Sequence, residues 1–409
     1  METCQQVISG TLAKKSRETC TLADILRQHG QMFRDSHSLS TPQFRAMRAI
    51  EVCRTATLGG HRYSCDHCGE VIQQYNSCRN RHCPQCQSIA KAKWLSDRQK
   101  DCLPVEYFHV VFTLPHEINL IAQCNHQLIY NLLFQSAWHS ISTLGADPKR
   151  LDGEMGMISI LHTWGQNLSQ HIDLHCVIPG GALKADQSWN CANSGFLFPV
   201  KAMSRLFRGH YISNLRKAFD NGNLKVPIGD LTGCTDSISF QKLTDQLMQK
   251  EWVVYSKPPF DGSKSVLSYL SRYTHKIAIS NHRIISCIDG KVKFRWRDYA
   301  DRNKNKIMEL DAGEFIRRFM LHVLPERFVR IRHFGFLSNA CRNKRLTIIR
   351  NNLSLDNKSQ SITKHENLDS VSDWMLHLTG IDITQCPICK KGKLTSVGVI
   401  KPLIYWDTS

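Results

Sequence analysis

The chain has 409 residues, enough for two or three domains and at least one sizeable core. Its 53 Lys and Arg against 35 Asp and Glu leave a formal charge of +18, an excess that attracts a polyanion. No run of about 18 apolar residues is present to span a bilayer, and the N-terminal stretch lacks the apolar core of a signal peptide. Nucleic acid in the cytoplasm, with no membrane partner, is therefore the expectation.

The first forty residues are polar, with one short helical pattern at Leu22, Ile25 and Leu26. Thr41-Pro42 is a helix start, a capping hydroxyl followed by proline in the first turn. Phe44, Met47, Ile50 and Val52 continue that helix, and Gly59-Gly60 stops it. Cysteines then crowd the chain. Six of the 17 lie between Cys53 and Cys86, and two more form Cys386-Pro387-Ile388-Cys389. Clustering of this kind reads as metal binding rather than as a disulfide framework. A helix from Gln87 to about Cys102 follows, carrying Lys91, Lys93, Arg98 and Lys100 against Asp97 and Asp101. Pro104 closes this N-terminal helical and zinc-binding unit, residues 1–104, which is expected to bind DNA.

From Tyr107 the texture changes. Tyr107–Leu114 is β-branched and aromatic and reads as a buried strand. Residues 117–143 read as one long apolar helix. Met155–Trp164 and His171–Ile178 are strands joined by a short Gly-Gln-Asn turn, and residues 200–250 are helical and basic. Trp252–Ser256 is a short strand, Ser263 to about Tyr273 a helix, and Lys276–Ile288 a strand. Lys291–Trp296 is its hairpin partner across Asp289-Gly290. Glu314–Val323 is an amphipathic helix. Asn351–Ser370 is polar and reads as a linker. Strands interleaved with helices, including a hairpin, predict an α+β fold with helices packed on a sheet. The predicted units are 1–104, 105–345 with a helical insertion at about 182–250, and a tail over 346–409 that carries the last Cys-x-x-Cys.

Cys65-Asp66-His67-Cys68 and Cys83-Pro84-Gln85-Cys86 are two knuckles separated by 14 residues. Two thiolates from each suit one tetrahedral structural Zn²⁺. His61, Cys78 and His82 are near enough to be extra ligands of a second ion. Arg79 and Arg81 put positive charge beside the zinc, as phosphate contacts require. Cys386 and Cys389 form a knuckle with no second pair downstream.

His171-Ile172-Asp173-Leu174-His175 read as a strand places His171, Asp173 and His175 on one face and apolar residues on the other. Imidazole and carboxylate together suit a divalent ion at a catalytic site. A half-buried strand with a polar wet side would show the same pattern. Tyr269-Leu270-Ser271-Arg272-Tyr273 puts two phenols at i and i+4 on one helix face, with Arg272, His275 and Lys276 in the same segment. A tyrosine that attacks a phosphodiester needs a divalent ion on the phosphate and cations nearby. Further on, Phe315–Met320 and Arg327–Phe336 interleave aromatics with Arg317, Arg318, Arg330 and Arg332. That alternation fits a single-strand binding surface, and equally a strand with rings inward and arginines in solvent.

The combination resembles the two-tyrosine HUH rolling-circle transposases of the insertion-sequence-ninety-one family. The matching stretches are Ser77–Pro84 with the knuckles, His162-Thr163-Trp164-Gly165-Gln166 with His171–Gly181, Tyr269–Tyr273, Ala278–Asn281, Glu314–Phe319 and His322–Pro325. They cover roughly residues 53–340 in the family's order. The resemblance implies an HUH endonuclease, a ferredoxin-like antiparallel sheet with packed helices, preceded by a small helical zinc-binding module. It implies metal ligands on the central strand, Mg²⁺ or Mn²⁺ as catalytic ion, and Tyr269 and Tyr273 as nucleophiles. The implied substrate is single-stranded DNA at the element's ends and target, moved by rolling-circle transposition with host replication proteins in a bacterial cytoplasm, at the nucleoid when DNA-bound. One departure matters. The family's His-hydrophobic-His is Asp173-Leu174-His175 here, so His171, His162 and His275 compete for the remaining ligand position. Two other readings stay open: a rolling-circle replication initiator or relaxase-like nickase, although no Gly-x-x-x-x-Gly-Lys-Ser/Thr loop accompanies it, and a non-catalytic zinc-dependent DNA-binding protein.

Overall fold

The computed structural model describes residues 20–225, 236–260, 277–299, 301–356 and 370–403. Its centre is a five-stranded antiparallel sheet in the order β12-β4-β5-β3-β8. These strands are β3 (Tyr107–Thr113), β4 (Gly156–Trp164), β5 (Gln170–Pro179), β8 (Val254–Phe260) and β12 (Ile331–Gly335). Period-two alternation gives β5 two unlike faces. Ile172, Leu174, Cys176 and Ile178 face the main core, together with Phe108, Val110 and Phe112 of β3. Helices α5 (His126–Ala146) and α6 (Val200–Asp220) cover that face with Ile129, Leu133, Phe134, Phe207 and Tyr211. The Phe112 and Phe207 rings meet at 5.0 Å between centroids.

The opposite face is covered along part of its length by α3 (Gln87–Lys100), whose Trp94 and Leu95 pack on Tyr107, Ile160 and Val177. Beyond that cover, the same face carries Asp173 and His175.

A second antiparallel sheet, β11-β10-β9, is built from β9 (Ile284–Ile288), β10 (Lys291–Asp298) and β11 (Lys304–Asp311). Asp289 and Gly290 turn the β9–β10 hairpin with φ of 49° and 71°, the pair of left-handed residues that a tight hairpin turn requires. Val292 and Phe294 share a core with Phe315, Ile316 and Phe319 of the helix Ala312–Met320. The N-terminal helices α1 (Leu22–Ser36) and α2 (Thr41–Glu51) bury Leu22, Ile25, Leu26, Met47 and Ile50 in that same core. Asn281 Oδ1 accepts from the Leu22 backbone N–H at 3.1 Å, satisfying one of the orphan donors of the α1 N-terminus. A third sheet, β13-β1-β2, joins β1 (Gly60–Cys65) and β2 (Val71–Tyr75) to β13 (Leu394–Ile400) near the other end of the sequence.

Three expectations change, and a fourth falls outside the described residues. The helix over 117–143 is broken at Asn125 into α4 (Asn119–Cys124) and α5. There the Asn125 side chain donates to the carbonyls of Ile121 and Lys225 and accepts from the Lys225 N–H at 2.8 Å. The strand expected from Lys276 begins only at Ile284, because Asn281–Arg283 form a 3-10 turn. As far as Asp356 the stretch expected as a linker continues the helix Arg342–Asp356, and 357–369 lie outside the described residues; Arg350 of that helix donates to the Lys100 carbonyl, anchoring it to the end of α3. The helix expected over Ser263–Tyr273, with Tyr269, Arg272, Tyr273, His275 and Lys276, lies outside the described residues.

The edge strand β12 closes on β4 through the paired Gly335 and Gly156. Gly335 has φ of 59°, and a Cβ there would stand 1.8 Å from the Met155 carbonyl oxygen and 2.7 Å from the Trp138 ring. Gly335→Ala should therefore cost on the order of 3 kcal/mol, combining left-handed strain with overpacking. Gly222 also has positive φ but open space around it, so Gly222→Ala should cost only about 1 kcal/mol. Thermal unfolding of the two variants should show a clearly larger drop in midpoint for Gly335→Ala.

Candidate metal centre and zinc module

The β4–β5 register sets His162 directly opposite Asp173, so both side chains leave the same face of the sheet. His175, two residues along β5, joins them. Ligand atoms of His162, Asp173 and His175 all lie within 4.8 Å of one another. His162 Nδ1 is 3.0 Å from Asp173 Oδ1, and His175 Nε2 is 3.6 Å from Oδ2. Asp173 and His175 are each only 7 % exposed. Burial alone would push the Asp173 carboxyl up, but His162 and His175 outweigh it and hold the group well below the usual carboxylate range. A buried carboxylate between two imidazoles is a donor set that could hold a divalent cation. His171 is more exposed and sits 3.6 Å from Asp173 Oδ2, outside the three-residue cluster. The structure thus brings His162, rather than the expected His171, together with Asp173 and His175. The register of two neighbouring strands decides this, and alternation along one strand cannot reveal it.

A further residue had no signal beyond being a histidine in an apolar strand. His109 of β3 is 1 % exposed, and its Nε2 lies 3.0 Å from His175 Nδ1 with the rings stacked. Burial first, then the neighbouring His175 and Lys257, push the His109 pKa down to about 3, so the ring is neutral near pH 7. The His109–His175 contact makes His109 an outer partner of a cluster residue on the neighbouring strand. Such an outer partner sets the tautomer and orientation of a ligating histidine. Tyr255 of β8 lies opposite Val111, which lies opposite His175. Its half-exposed side chain therefore shares the face of the cluster, about 10 Å away across two strand spacings.

The cysteines divide differently from the expected Cys65, Cys68, Cys83 and Cys86 set. Cys83 and Cys86 converge with Cys53 and Cys78, while Cys65 and Cys68 converge with Cys386 and Cys389. In the first group Cys53 and Cys78 each lie 3.6 Å from Cys86, and Cys83 lies 3.7 Å from Cys53. Four sulfurs about 2.3 Å from one zinc stand about 3.8 Å apart, so the spacing is that of a tetrahedral site. The reason for the split is the β1–β2 hairpin. It starts beside Cys53 and carries the Cys65 turn about 16 Å away at strand rise, then returns the chain to Cys78. Cys78 is thus a member of the first group; His61 and His82 are in neither. His82 instead accepts from the Leu324 N–H, and burial lowers its pKa to about 3.

Most of the arginines expected on DNA have internal partners. Arg81 donates to the carbonyls of Phe328 and Pro325 at 2.6 and 2.8 Å. Arg330 donates to the Leu161 carbonyl and stacks over Trp164. Arg332 lies over Phe134 and donates to Asn131. Arg317 and Arg318 both pair with Glu314. Phe315, Phe319, Phe328 and Phe336 are buried, so these rings serve the core and are not available to stack bases. Arg79 is exposed, with φ of 52°; Arg272 and Lys276 lie outside the described residues.

Two family models match the chain. Residues 156–345 match one described as "Putative transposase", and residues 25–114 match a "Transposase zinc-binding domain". A "Putative transposase y4qJ" of Sinorhizobium fredii is 46 % identical over 394 residues, 95 % of this chain and 98 % of that protein. The "Transposase for insertion sequence element IS801" of Pseudomonas savastanoi pv. phaseolicola is 26 % identical over 305 residues, 70 % of this chain and 68 % of that protein. No described helix is long and apolar enough to cross a membrane. The α+β chain, with its cysteine-rich zinc-binding module ahead of the sheet, belongs to the insertion-sequence-ninety-one (IS91) family of transposases.

Proposed function

We propose that this transposase is an HUH endonuclease that cleaves and rejoins single-stranded DNA at its element's ends through 5′-phosphotyrosine intermediates, driving rolling-circle transposition. The observation that carries the reading is the His162–Asp173–His175 cluster on the central strands of an antiparallel sheet. A bound Mg²⁺ or Mn²⁺ would polarise the scissile phosphate there. The phenol oxygen of Tyr269 or Tyr273 attacks phosphorus, losing its proton. The 3′ oxygen leaves and takes up a proton, so one phosphoester replaces another. Attack by a 3′-OH on the phosphotyrosine reverses the exchange and releases the tyrosine, so no nucleotide energy source is needed. A second tyrosine permits a second cleavage while the first remains loaded.

His162, Asp173 and His175 are the proposed ligands, and His109 is a positioning residue that holds the His175 tautomer. DNA backbone is proposed to follow the groove of about 500 Å³ between the zinc module and the loop Val323–Arg327, which Arg45, Arg79, Arg81 and Arg327 line. Arg317 at the surface is proposed as a further phosphate contact, as are Arg272 and Lys276 on the family resemblance alone.

Incubation with single-stranded element-end DNA and Mn²⁺, followed by denaturing electrophoresis, should give a covalent protein–DNA adduct. The adduct should vanish in Tyr269→Phe/Tyr273→Phe and persist in Tyr255→Phe. No adduct from the wild type, or an adduct lost only with Tyr255, would overturn the proposed nucleophiles.

In the same assay His162→Ala and Asp173→Ala should lower adduct formation by about 100-fold or more, the scale of losing a metal's charge stabilisation. His171→Ala should stay within about threefold of wild type, as for a residue outside the ligand set. The reverse order would return His171 to the metal.

His109→Phe removes the acceptor of His175 Nδ1–H. It should raise the Mn²⁺ concentration for half-maximal cleavage by about 10–100-fold while sparing the rate at saturating metal. His109→Gln, whose amide oxygen can still accept, should recover part of that shift. A fall in saturated rate with unchanged metal requirement would refute the positioning role.

A further inference from the structure

We infer that the chain carries a second four-thiolate zinc site, made jointly by Cys65 and Cys68 near the N-terminus and Cys386 and Cys389 near the C-terminus. The matched zinc-binding segment ends at residue 114, so half of this ligand set lies outside it. The inference is independent of the nuclease reading.

Three observations support the site. Cys65 Sγ is 3.6 Å from Cys389 Sγ, and Cys68 Sγ is 3.8 Å from Cys386 Sγ. These are tetrahedral edge lengths about a zinc ion, far longer than a disulfide bond of about 2 Å. Secondly, the two knuckles repeat one turn. The Gly69 N–H donates to the Cys65 carbonyl and the Lys390 N–H to the Cys386 carbonyl, both at 3.0 Å. Each donor follows its second cysteine and has positive φ, 71° at Gly69 and 56° at Lys390. Backbone N–H groups also point at the sulfurs: His67 and Cys68 at Cys65 Sγ, and Gly392 at Cys389 Sγ, at 3.4 to 3.5 Å. Donors of this kind stabilise thiolate over thiol. Thirdly, the surroundings are fitted to the contact. Asp66 exchanges backbone and side-chain hydrogen bonds with Lys393, and a Cβ on Gly392 would come within 2.4 Å of Cys65 Sγ. Cys386 is fully buried and Cys65 nearly so.

The consequence is architectural. From Leu394 the chain runs as β13 along β1, with Cys65 opposite Leu394 and Gly60 opposite Ile400. The metal therefore pins the C-terminal strand to the module that opens the chain. The zinc module is completed by a segment more than 300 residues further along the chain.

Zinc content of the purified full-length chain should be about two ions per chain, falling to about one in Cys386→Ser/Cys389→Ser and to about one in Cys83→Ser/Cys86→Ser. About one ion in the wild type, or two retained in Cys386→Ser/Cys389→Ser, overturns the site. Since either double variant can unfold, the wild type provides a second measurement. Alkylation with iodoacetamide, mapped by peptide mass spectrometry, should leave Cys65, Cys68, Cys386 and Cys389 unlabelled until a chelator is added, and then label all four. Labelling without chelator, or protection that persists with chelator and yields only to reductant, also overturns it.

Discussion

A carboxylate held in a sheet interior at 7 % exposure is costly unless opposite charge or strong hydrogen bonds compensate it. Asp173 is in that position, and its compensation comes from different strands: His162 across the β4–β5 pair and His175 two residues along its own strand. A one-residue slip of β4 against β5 would send His162 to the helical core and bring Leu161 or Thr163 to the carboxylate. The register of the two central strands and the compensation of the charge are therefore one constraint. His109 extends it to β3, because its hydrogen bond to His175 requires the β3–β5 register as well. The apolar faces of the same strands, packed on α5 and α6, supply the burial that fixes this arrangement.

Around that sheet the chain is tied together by contacts between segments far apart in sequence. Helices α1 and α2 share a core with the helix Ala312–Met320. Arg81, one residue after the loop asparagine Asn80, clasps carbonyls beyond residue 324. Arginines in these places act as forked donors to backbone oxygens, a task lysine could not perform with the same geometry. The positive charge of the chain is thus spent partly on its own architecture, which narrows the set of cations free to follow a phosphate backbone.

Much of this was legible in the sequence where the signal was local. The strand character of β3, β4 and β5, the Asp289-Gly290 hairpin and the helix near Glu314 follow from periodicity and turn chemistry. The Asp173 and His175 pairing on one face follows from alternation. What was not legible depends on which elements lie side by side. His162, one of three candidates for the remaining ligand position, is singled out only by strand pairing, and His109 enters through a second pairing. Cys53 and Cys78 replace Cys65 and Cys68 beside Cys83 and Cys86 because a hairpin carries the first knuckle away. The break at Asn125 depends on a side-chain bond to the Lys225 backbone, and no propensity at position 125 could disclose it. The aromatic and arginine alternation over 315–336 was compatible with a stacking surface, but burial of Phe315, Phe319 and Phe336 decides for the core.

Under the proposed mechanism, the departure at Asp173 also bears on how one chain can keep two kinds of metal site distinct. Soft thiolates select zinc, and the two cysteine clusters consist of nothing else. Histidine in place of Asp173, beside His162 and His175, would offer an all-nitrogen site to which zinc also binds well. Replacing the middle imidazole by a carboxylate adds a full negative charge and a hard oxygen donor, which moves the preference towards Mg²⁺ or Mn²⁺. Under the proposed mechanism that shift suits the chemistry, since a phosphate oxygen is itself a hard ligand and must share the ion. The carboxylate also alters the cost of an empty site. Two imidazoles can compensate one buried carboxylate through the His162 contact at 3.0 Å, whereas a cluster of imidazoles alone would gain no such attraction before the metal arrives. Asp173 thus holds His162 and His175 together through its own contacts.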